Sequence, residues 1–230
     1  TTVIQWKITQ SAVSASPSAI EIKPLLAFRD HHHLRHEDAN FDGSYNVEGK
    51  TISVEPYSEL PRLYFAHSAA EIEHQGHWYR DFEYKIEQER GFDYREDLFQ
   101  PFSLKFDLSN TATVIASTEP RQISDVDEFR NYEIERRKNL IETAGATDEL
   151  TKQLVLAADQ FIVARGEGHT VIAGYHWFSD WGRDTMIALN GLTLAANRAD
   201  IAKSILLEFS KHISDGMLPN RFPDAGETPE

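Results

Sequence analysis

The sequence contains no cysteine, and this absence excludes disulfide bonds and zinc sites built from thiolates. No run of about 18 apolar residues occurs, so no segment is predicted to cross a membrane as a helix. Basic residues are scarce too: 23 Lys and Arg stand against 37 Asp and Glu, which gives a formal net charge of -14. Such a surface argues against nucleic acid and membrane as partners, because it offers phosphates no basic face. A neutral polymer is compatible with it.

Other signals of location and chemistry are also missing. The first residues lack the basic-then-apolar pattern of a secretory signal, although a chain that begins at Thr1 leaves a removed leader open. The absence of cysteine fits a reducing cytoplasm, and we predict a cytoplasmic location. No glycine-rich phosphate loop, nucleophile elbow or dinucleotide fingerprint occurs, so we predict no cofactor. With 230 residues, 40% of them hydrophobic, the chain is long enough for two small domains with separate cores.

The first half of the chain reads as antiparallel β-structure. Short β-rich runs alternate with turn residues, which is typical of a sandwich. The predicted strands are Val3 to Thr9, Ala19 to Phe28, Thr51 to Glu55, Arg62 to His67, Trp78 to Tyr84, Phe102 to Leu108 and Thr111 to Ala116. Charged helix formers from Lys85 to Arg90 predict a helical turn between two of these strands.

After Pro120 the apolar period changes from two to 3.6, which predicts helices. The first should start at Ser124, with Asp127 three residues later, and stop at Gly145. A second helix should end near Gly166, and its apolar stripe consists of Leu150, Leu154, Ala158, Phe161 and Ile162. A third helix should run from about Trp181 to Ala196. A fourth should place four apolar residues inward, namely Ile201, Ile205, Phe209 and Ile213. Consecutive hairpins of a larger array and a closed four-helix bundle both fit this pattern.

The most unusual stretch is AGYHWFSDWGRDTMIALNGL, at Ala173 to Leu192. It crowds aromatic, carboxylate and guanidinium groups where a loop passes into a helix. A pyranose ring presents apolar faces and rows of hydroxyl groups, so a sugar site needs aromatic platforms beside charged hydrogen-bonding groups. Trp177 and Trp181 are the candidate platforms, and Arg183 and Asp184 are the candidate polar ligands.

Ordinary helix chemistry offers a second interpretation of the same residues. Asp180 fits a helix N-cap, and Asp184 falls in a first turn, where the helix dipole favours a carboxylate. Arg183 and Asp184 could form a surface ion pair. Adjacent helical residues point about 100° apart, however, so these two are better placed to meet a third group than each other.

This stretch closely resembles the signature that opens the catalytic domain of the amylo-alpha-1,6-glucosidase family of glycogen debranching enzymes. Three further segments are also similar to that family: LLAFRDHHHLRHEDANFD at Leu25 to Asp42, WYRDFEYKIEQERGFDYREDLFQPF at Trp78 to Phe102, and DGMLPNRFPDAGETPE at Asp215 to Glu230. The resemblance therefore covers nearly the whole chain. His176 departs from it, because the family pattern has Pro there, and this change affects the loop shape more than the chemistry.

The resemblance implies a fold in two parts. Residues 1–119 would be part of an N-terminal β-sandwich domain, and residues 120–230 would be a linker helix and the first hairpins of an (α/α)6 toroid. Helices of such a toroid surround a pocket for the end of a glucan chain. Carried over to this sequence, Trp181 would wall the pocket, Arg183 would donate to ring hydroxyls and Asp184 would accept from them. Asn220 and Arg221, on a loop at the pocket end, would also contact substrate.

The reaction implied is hydrolysis of a single α-1,6-linked glucose at a glycogen branch point, with inversion. Inversion needs one protonated carboxyl and one carboxylate that activates water. By resemblance both acids are expected beyond Glu230, so we assign no catalytic residue, regard the chain as an internal segment, and expect it to be inactive alone. Expected partners are glycogen, limit dextrin or another α-glucan, and the remainder of its own polypeptide.

Two other functions stay open, namely a non-catalytic glucan-binding protein and a related glucoamylase-like or trehalase-like hydrolase. A carboxylate pair such as Asp81 and Glu83 could in principle serve a glycosidase, although an exposed acidic face explains it more simply. The histidines at 31, 32, 33 and 36 lack a metal-binding spacing such as HExxH, so we predict no metal site.

Overall fold

The structure is a computed structural model that describes residues 1–8, 19–29, 33–175 and 178–222. The chain divides into two compact units, Thr1–Arg130 and Asn131–Glu230. Each unit contains a core cluster of buried apolar side chains. Within the described residues, no helix is both long enough and apolar enough to span a membrane.

The first unit is built from two antiparallel sheets. Its strands are β1 (Thr2–Trp6), β2 (Ala19–Ile22), β3 (Tyr45–Glu48), β4 (Thr51–Val54), β5 (Leu63–His67), β6 (Glu71–Glu83), β7 (Arg95–Asp107) and β8 (Ala112–Ser117). One sheet has the order β1-β8-β5-β4-β3, and the other has the order β2-β7-β6. The prediction of antiparallel β-structure in this half is therefore confirmed.

The two sheets share one core. Strand β7 contributes Phe102 and Leu104, which are fully buried, and the facing sheet contributes Ile52 and Phe65. The rings of Phe65 and Phe102 meet edge to face, with centroids 5.5 Å apart. Nearly every residue of β7 is buried, whereas β6, its neighbour, is largely exposed. Strand β7 therefore anchors the unit.

Strand β3 is absent from the sequence prediction. Its residues are half-buried or exposed, so it carries little of the alternation that reveals a strand. Pairing with β4 forms it instead, in the register Tyr45 to Val54. The helical turn predicted between strands is confirmed as α1 (Lys85–Glu89).

Helix α2 (Val126–Ala144) follows a short 3-10 helix at Ile123–Asp125. The predicted start at Ser124 and Asp127 is wrong by two residues: the capping box is formed by Gln122 and Asp125, and the carboxylate of Asp125 accepts the backbone N–H of Gln122 at 3.0 Å. The predicted stop is confirmed: the helix ends before Gly145, whose φ of +65° suits glycine.

In the second unit, α3 (Glu149–Asp159) is shorter than predicted. Asp148 caps it by accepting the backbone N–H of Thr151 at 2.9 Å. The expected continuation to Gly166 is wrong, because the chain instead forms a hairpin of β9 (Ile162–Arg165) and β10 (Gly168–Val171). Ile and Val favour strands, and Gly166 takes a φ of +52° at the turn.

Helices α4 (Gly182–Leu192) and α5 (Ala199–Ser210) complete the described part of this unit, with a 3-10 turn at Leu194–Ala196 between them. Val171, Ile205, Phe209 and Phe222 form the core cluster. The inward placement of Ile213 is wrong: it lies after the end of α5 and is 54% exposed. Several helices are thus confirmed, and a six-hairpin toroid stays a prediction.

Candidate functional site

Asp180 lies just before α4 and is not its N-cap. The N-cap position is Trp181, which makes no side-chain capping hydrogen bond. The Asp180 side chain is only 3% exposed, and its Oδ2 lies 2.9 Å from Nη1 of Arg165. A buried carboxylate needs a charged partner, and this requirement outweighs the smaller gain from capping an exposed helix end. The predicted capping role is therefore wrong.

Arg165 also contacts an aromatic ring. Its guanidinium carbon lies 4.1 Å from the ring centroid of Phe222, within the range of a cation–π contact. Phe222 is fully buried and packs edge to face on Phe209, with centroids 4.8 Å apart. Arg165, at the end of β9, thereby connects the hairpin to Asp180 and to the segment around Phe222.

Residues 219–222 pair with the start of α4. The N–H of Gly182 donates to the carbonyl of Asn220 at 2.8 Å, and Trp181 and Arg221 form an isolated antiparallel bridge. A Cβ atom added to Gly182 would lie 2.2 Å from the carbonyl oxygen of Pro219, so no other residue fits there without movement. The backbones of three predicted site residues, Trp181, Asn220 and Arg221, are thus adjacent.

The two predicted polar ligands, Arg183 and Asp184, are exposed in the first turn of α4. In the part of the chain that the structure describes, neither forms an ion pair. Both groups are accessible to a ligand, and Trp177 lies outside the described residues.

Two aromatic residues beside this turn were not among the predicted site residues. Tyr175 is 52% exposed, and its hydroxyl donates to the carbonyl of Gln160 at 2.8 Å. Phe178 is 44% exposed, and its N–H donates to the carbonyl of Gly174 at 2.9 Å. Their presence in the aromatic-rich run was the signal that could have identified them. Exposed rings at this end of the helix can stack on sugar faces.

Both members of the acidic pair Asp81 and Glu83 are exposed on strand β6. Glu83 is exposed and pairs with Arg95 at 2.9 Å. The backbone N–H of Asp81 donates to the carboxylate of Asp97. Burial raises the pKa of Asp97, but N–H donors from Glu37 and Asp81 outweigh this effect and hold its pKa below the usual value. A general acid needs the opposite shift.

The histidine-rich segment is only partly described, because residues 31 and 32 lie outside the described ranges. His36 Nδ1 lies 3.7 Å from a carboxylate oxygen of Asp97. Within the described ranges, no group of three or more potential ligands is arranged to hold a metal ion.

Two protein families match separate parts of the chain. Residues 1–115, the region of the two sheets, match the family described as glycogen debranching enzyme N terminal. Residues 156–230, which include α4 and the segment paired with it, match amylo-alpha-1,6-glucosidase. The two matched regions thus lie in the two compact units, one in each. The chain belongs to the glycogen debranching enzyme family.

A curated relative matches a shorter segment. The glycogen debranching enzyme of Saccharomyces cerevisiae is 45% identical to this chain over 49 residues. That segment is 21% of this chain and 3% of the yeast protein's own length. No solved structure is significantly similar to the chain.

Proposed function

We propose that this protein acts in the hydrolysis of single α-1,6-linked glucose units at glycogen branch points, and that the start of α4 binds the terminal glucose. The two family matches support the substrate class. The observation that carries the proposed site is the pairing of Trp181 with Arg221 beside the exposed Arg183 and Asp184. This supports the proposal because a sugar site needs aromatic, cationic and anionic groups close together.

Each residue has a binding role in this proposal. Trp181, with Trp177, offers an apolar face to the pyranose ring. Arg183 and Arg221 donate to sugar hydroxyls, Asp184 accepts from them, and Asn220 can do both. Charge-assisted hydrogen bonds of this kind are stronger than neutral ones and fix the orientation of the ring.

These roles are distinct from proton transfer. An inverting glycosidase needs a protonated carboxyl and a carboxylate base roughly 6.5–9.5 Å apart, with room for water between them. Asp184 is exposed in the first turn of a helix, where its side-chain oxygens can accept hydrogen bonds from sugar hydroxyls. We therefore assign Asp184 to substrate binding and not to general acid catalysis.

The test compares the full-length gene product with its Asp184→Asn and Asp200→Asn variants in glucose release from a maltooligosaccharide that carries a single α-1,6-linked glucose. Asp200 is the matched control, because it is an exposed acidic residue in the first turn of α5. Loss of a charge-assisted hydrogen bond should lower kcat/KM roughly 10- to 100-fold in Asp184→Asn. Asp200→Asn should retain wild-type activity. Equal activity of both variants would remove Asp184 from the site.

A further inference from the structure

A cavity of about 910 Å³ lies on the first unit, and none of the residues that line it belongs to the candidate site at α4. Its lining combines apolar and polar side chains, among them Phe28, Arg35, Asp38, Tyr57 and Leu60. Ligand pockets are typically roughly 300–1,000 Å³ and combine apolar surface with a few fixed polar groups. The volume and the lining both fit that description.

The polar groups of this cavity are held in place before any ligand arrives. The hydroxyl of Tyr57 donates to Oδ2 of Asp38 at 2.9 Å and accepts from Nη1 of Arg35 at 2.8 Å. The guanidinium of Arg35 lies 4.6 Å from the centroid of the same ring. Asn40 donates its backbone and side-chain N–H groups to the other oxygen of Asp38, at 2.9 and 3.1 Å. Fixed groups lose little freedom on binding.

A second set of contacts fixes the neighbouring wall. Glu96 is fully buried and accepts hydrogen bonds from Nη2 of Arg29 at 3.1 Å and from the hydroxyl of Tyr84 at 2.6 Å. Arg29 lines the cavity, and the residue before it, Phe28, has a φ of +49°. Bulky residues rarely adopt this conformation, and such strain is concentrated at functional sites.

The charges of the cavity select the chemistry of the ligand. Of the described residues that line it, Arg29 and Arg35 are cationic and Asp38 and Glu59 are anionic. Because Arg29 already pairs with Glu96 and Arg35 with Asp38, the described lining of the cavity has no unpaired cation for a phosphate, whereas a neutral molecule with many hydroxyls can use both donors and acceptors. We propose that this cavity is a second binding site, separate from α4, for a neutral α-glucan segment. The ligand class rests on the proposed function.

The experiment titrates the full-length protein with maltoheptaose by calorimetry. Arg35→Gln and Tyr57→Phe remove one hydrogen-bonding group each from the cavity, and Asn40→Ala removes an exposed one if either of these disturbs folding. Arg95→Gln is the control, because Arg95 forms an exposed ion pair with Glu83 outside the cavity. We expect two classes of site in the wild type and the control, and about tenfold weaker binding at one of them in the cavity variants.

Several outcomes would overturn the inference. These are wild-type binding in both Arg35→Gln and Asn40→Ala, no maltoheptaose binding by the wild type, and tighter cavity binding of glucose 1-phosphate than of maltoheptaose. Asp184→Asn separates the two proposals. Weakening by Asp184→Asn alone would retain the α4 site and remove the cavity. Weakening by the cavity variants alone would do the reverse.

Discussion

Nη1 of Arg165 lies 2.9 Å from Oδ2 of Asp180, and this ion pair joins the β9–β10 hairpin to the segment just before α4. Because Arg165 also stacks on Phe222, one guanidinium contacts both chain segments that meet at the candidate site. The geometry of the site therefore depends on a residue that lies outside it in sequence.

Arg165→Met should destabilise the second unit. The substitution withdraws a charged partner from buried Asp180, which should cost about 2 kcal/mol in the free energy of unfolding. Arg95→Met, which breaks an exposed ion pair, should change stability by less than about 1 kcal/mol. Denaturant unfolding followed by circular dichroism measures both. Equal effects would show that the Arg165 pair contributes no more than a surface pair.

Two glycines of α4 form a matched pair for a second prediction. A Cβ at Gly182 would meet the carbonyl oxygen of Pro219 at 2.2 Å, whereas one at Gly191 meets no atom within 4 Å. Gly182→Ala should separate the paired segments and destabilise the protein by more than about 1 kcal/mol. Gly191→Ala should stabilise it by about 0.5–1 kcal/mol, because alanine favours helix. Thermal unfolding of the two variants checks the opposite signs.

Buried His67 should make the first unit sensitive to acid. Its ring is 1% exposed, and burial, with a smaller effect of Lys50, lowers its pKa to about 4. The unfolded chain, with a pKa of about 6.5, binds the proton more readily. The contribution of neutral His67 to the free energy of unfolding is therefore fully present above about pH 6.5. It is lost as the pH drops towards 4, and the loss is on the order of 2–3 kcal/mol.

Urea unfolding of the wild type and His67→Asn at several pH values measures this effect. The variant keeps an acceptor for the N–H of Ala69, which Nδ1 of His67 accepts at 3.2 Å in the wild type. In this variant the free energy of unfolding should change much less between pH 6.5 and pH 4 than in the wild type. The exposed control His77→Asn should show the wild-type change. An unchanged slope in His67→Asn would assign the acid sensitivity to other groups.

Local patterns in the sequence were sufficient for much of the fold. Period-two alternation located most strands of the first unit, and Gly145 marked the end of α2. Strand β3 was missed because it exists through pairing with β4 and not through its own alternation. The β9–β10 hairpin was missed because Phe161 and Ile162 also extend the apolar stripe of α3.

The residue types of the candidate site were predictable from the sequence, but the contacts that hold these residues in place were not. Trp181, Arg183 and Asp184 were identified because aromatic and charged residues are concentrated where a loop passes into a helix. The partner of Asp180 was not, because Arg165 reaches it through a tertiary fold over 15 positions of sequence. Asp180 was predicted to cap the helix because of its position in the sequence. In the structure it pairs with Arg165 instead, because a buried carboxylate needs a charged partner.

The central claim is that the protein acts on the α-1,6 linkage of a branch-point glucose. Its most direct test is glucose release by the full-length gene product from a maltooligosaccharide that carries a single α-1,6-linked glucose branch and, in parallel, from linear maltooligosaccharide. We expect release from the branched substrate and none from the linear chain, since only the branched substrate carries the α-1,6 linkage. Release from the linear chain would indicate a different linkage specificity, and release from neither would contradict a hydrolytic function.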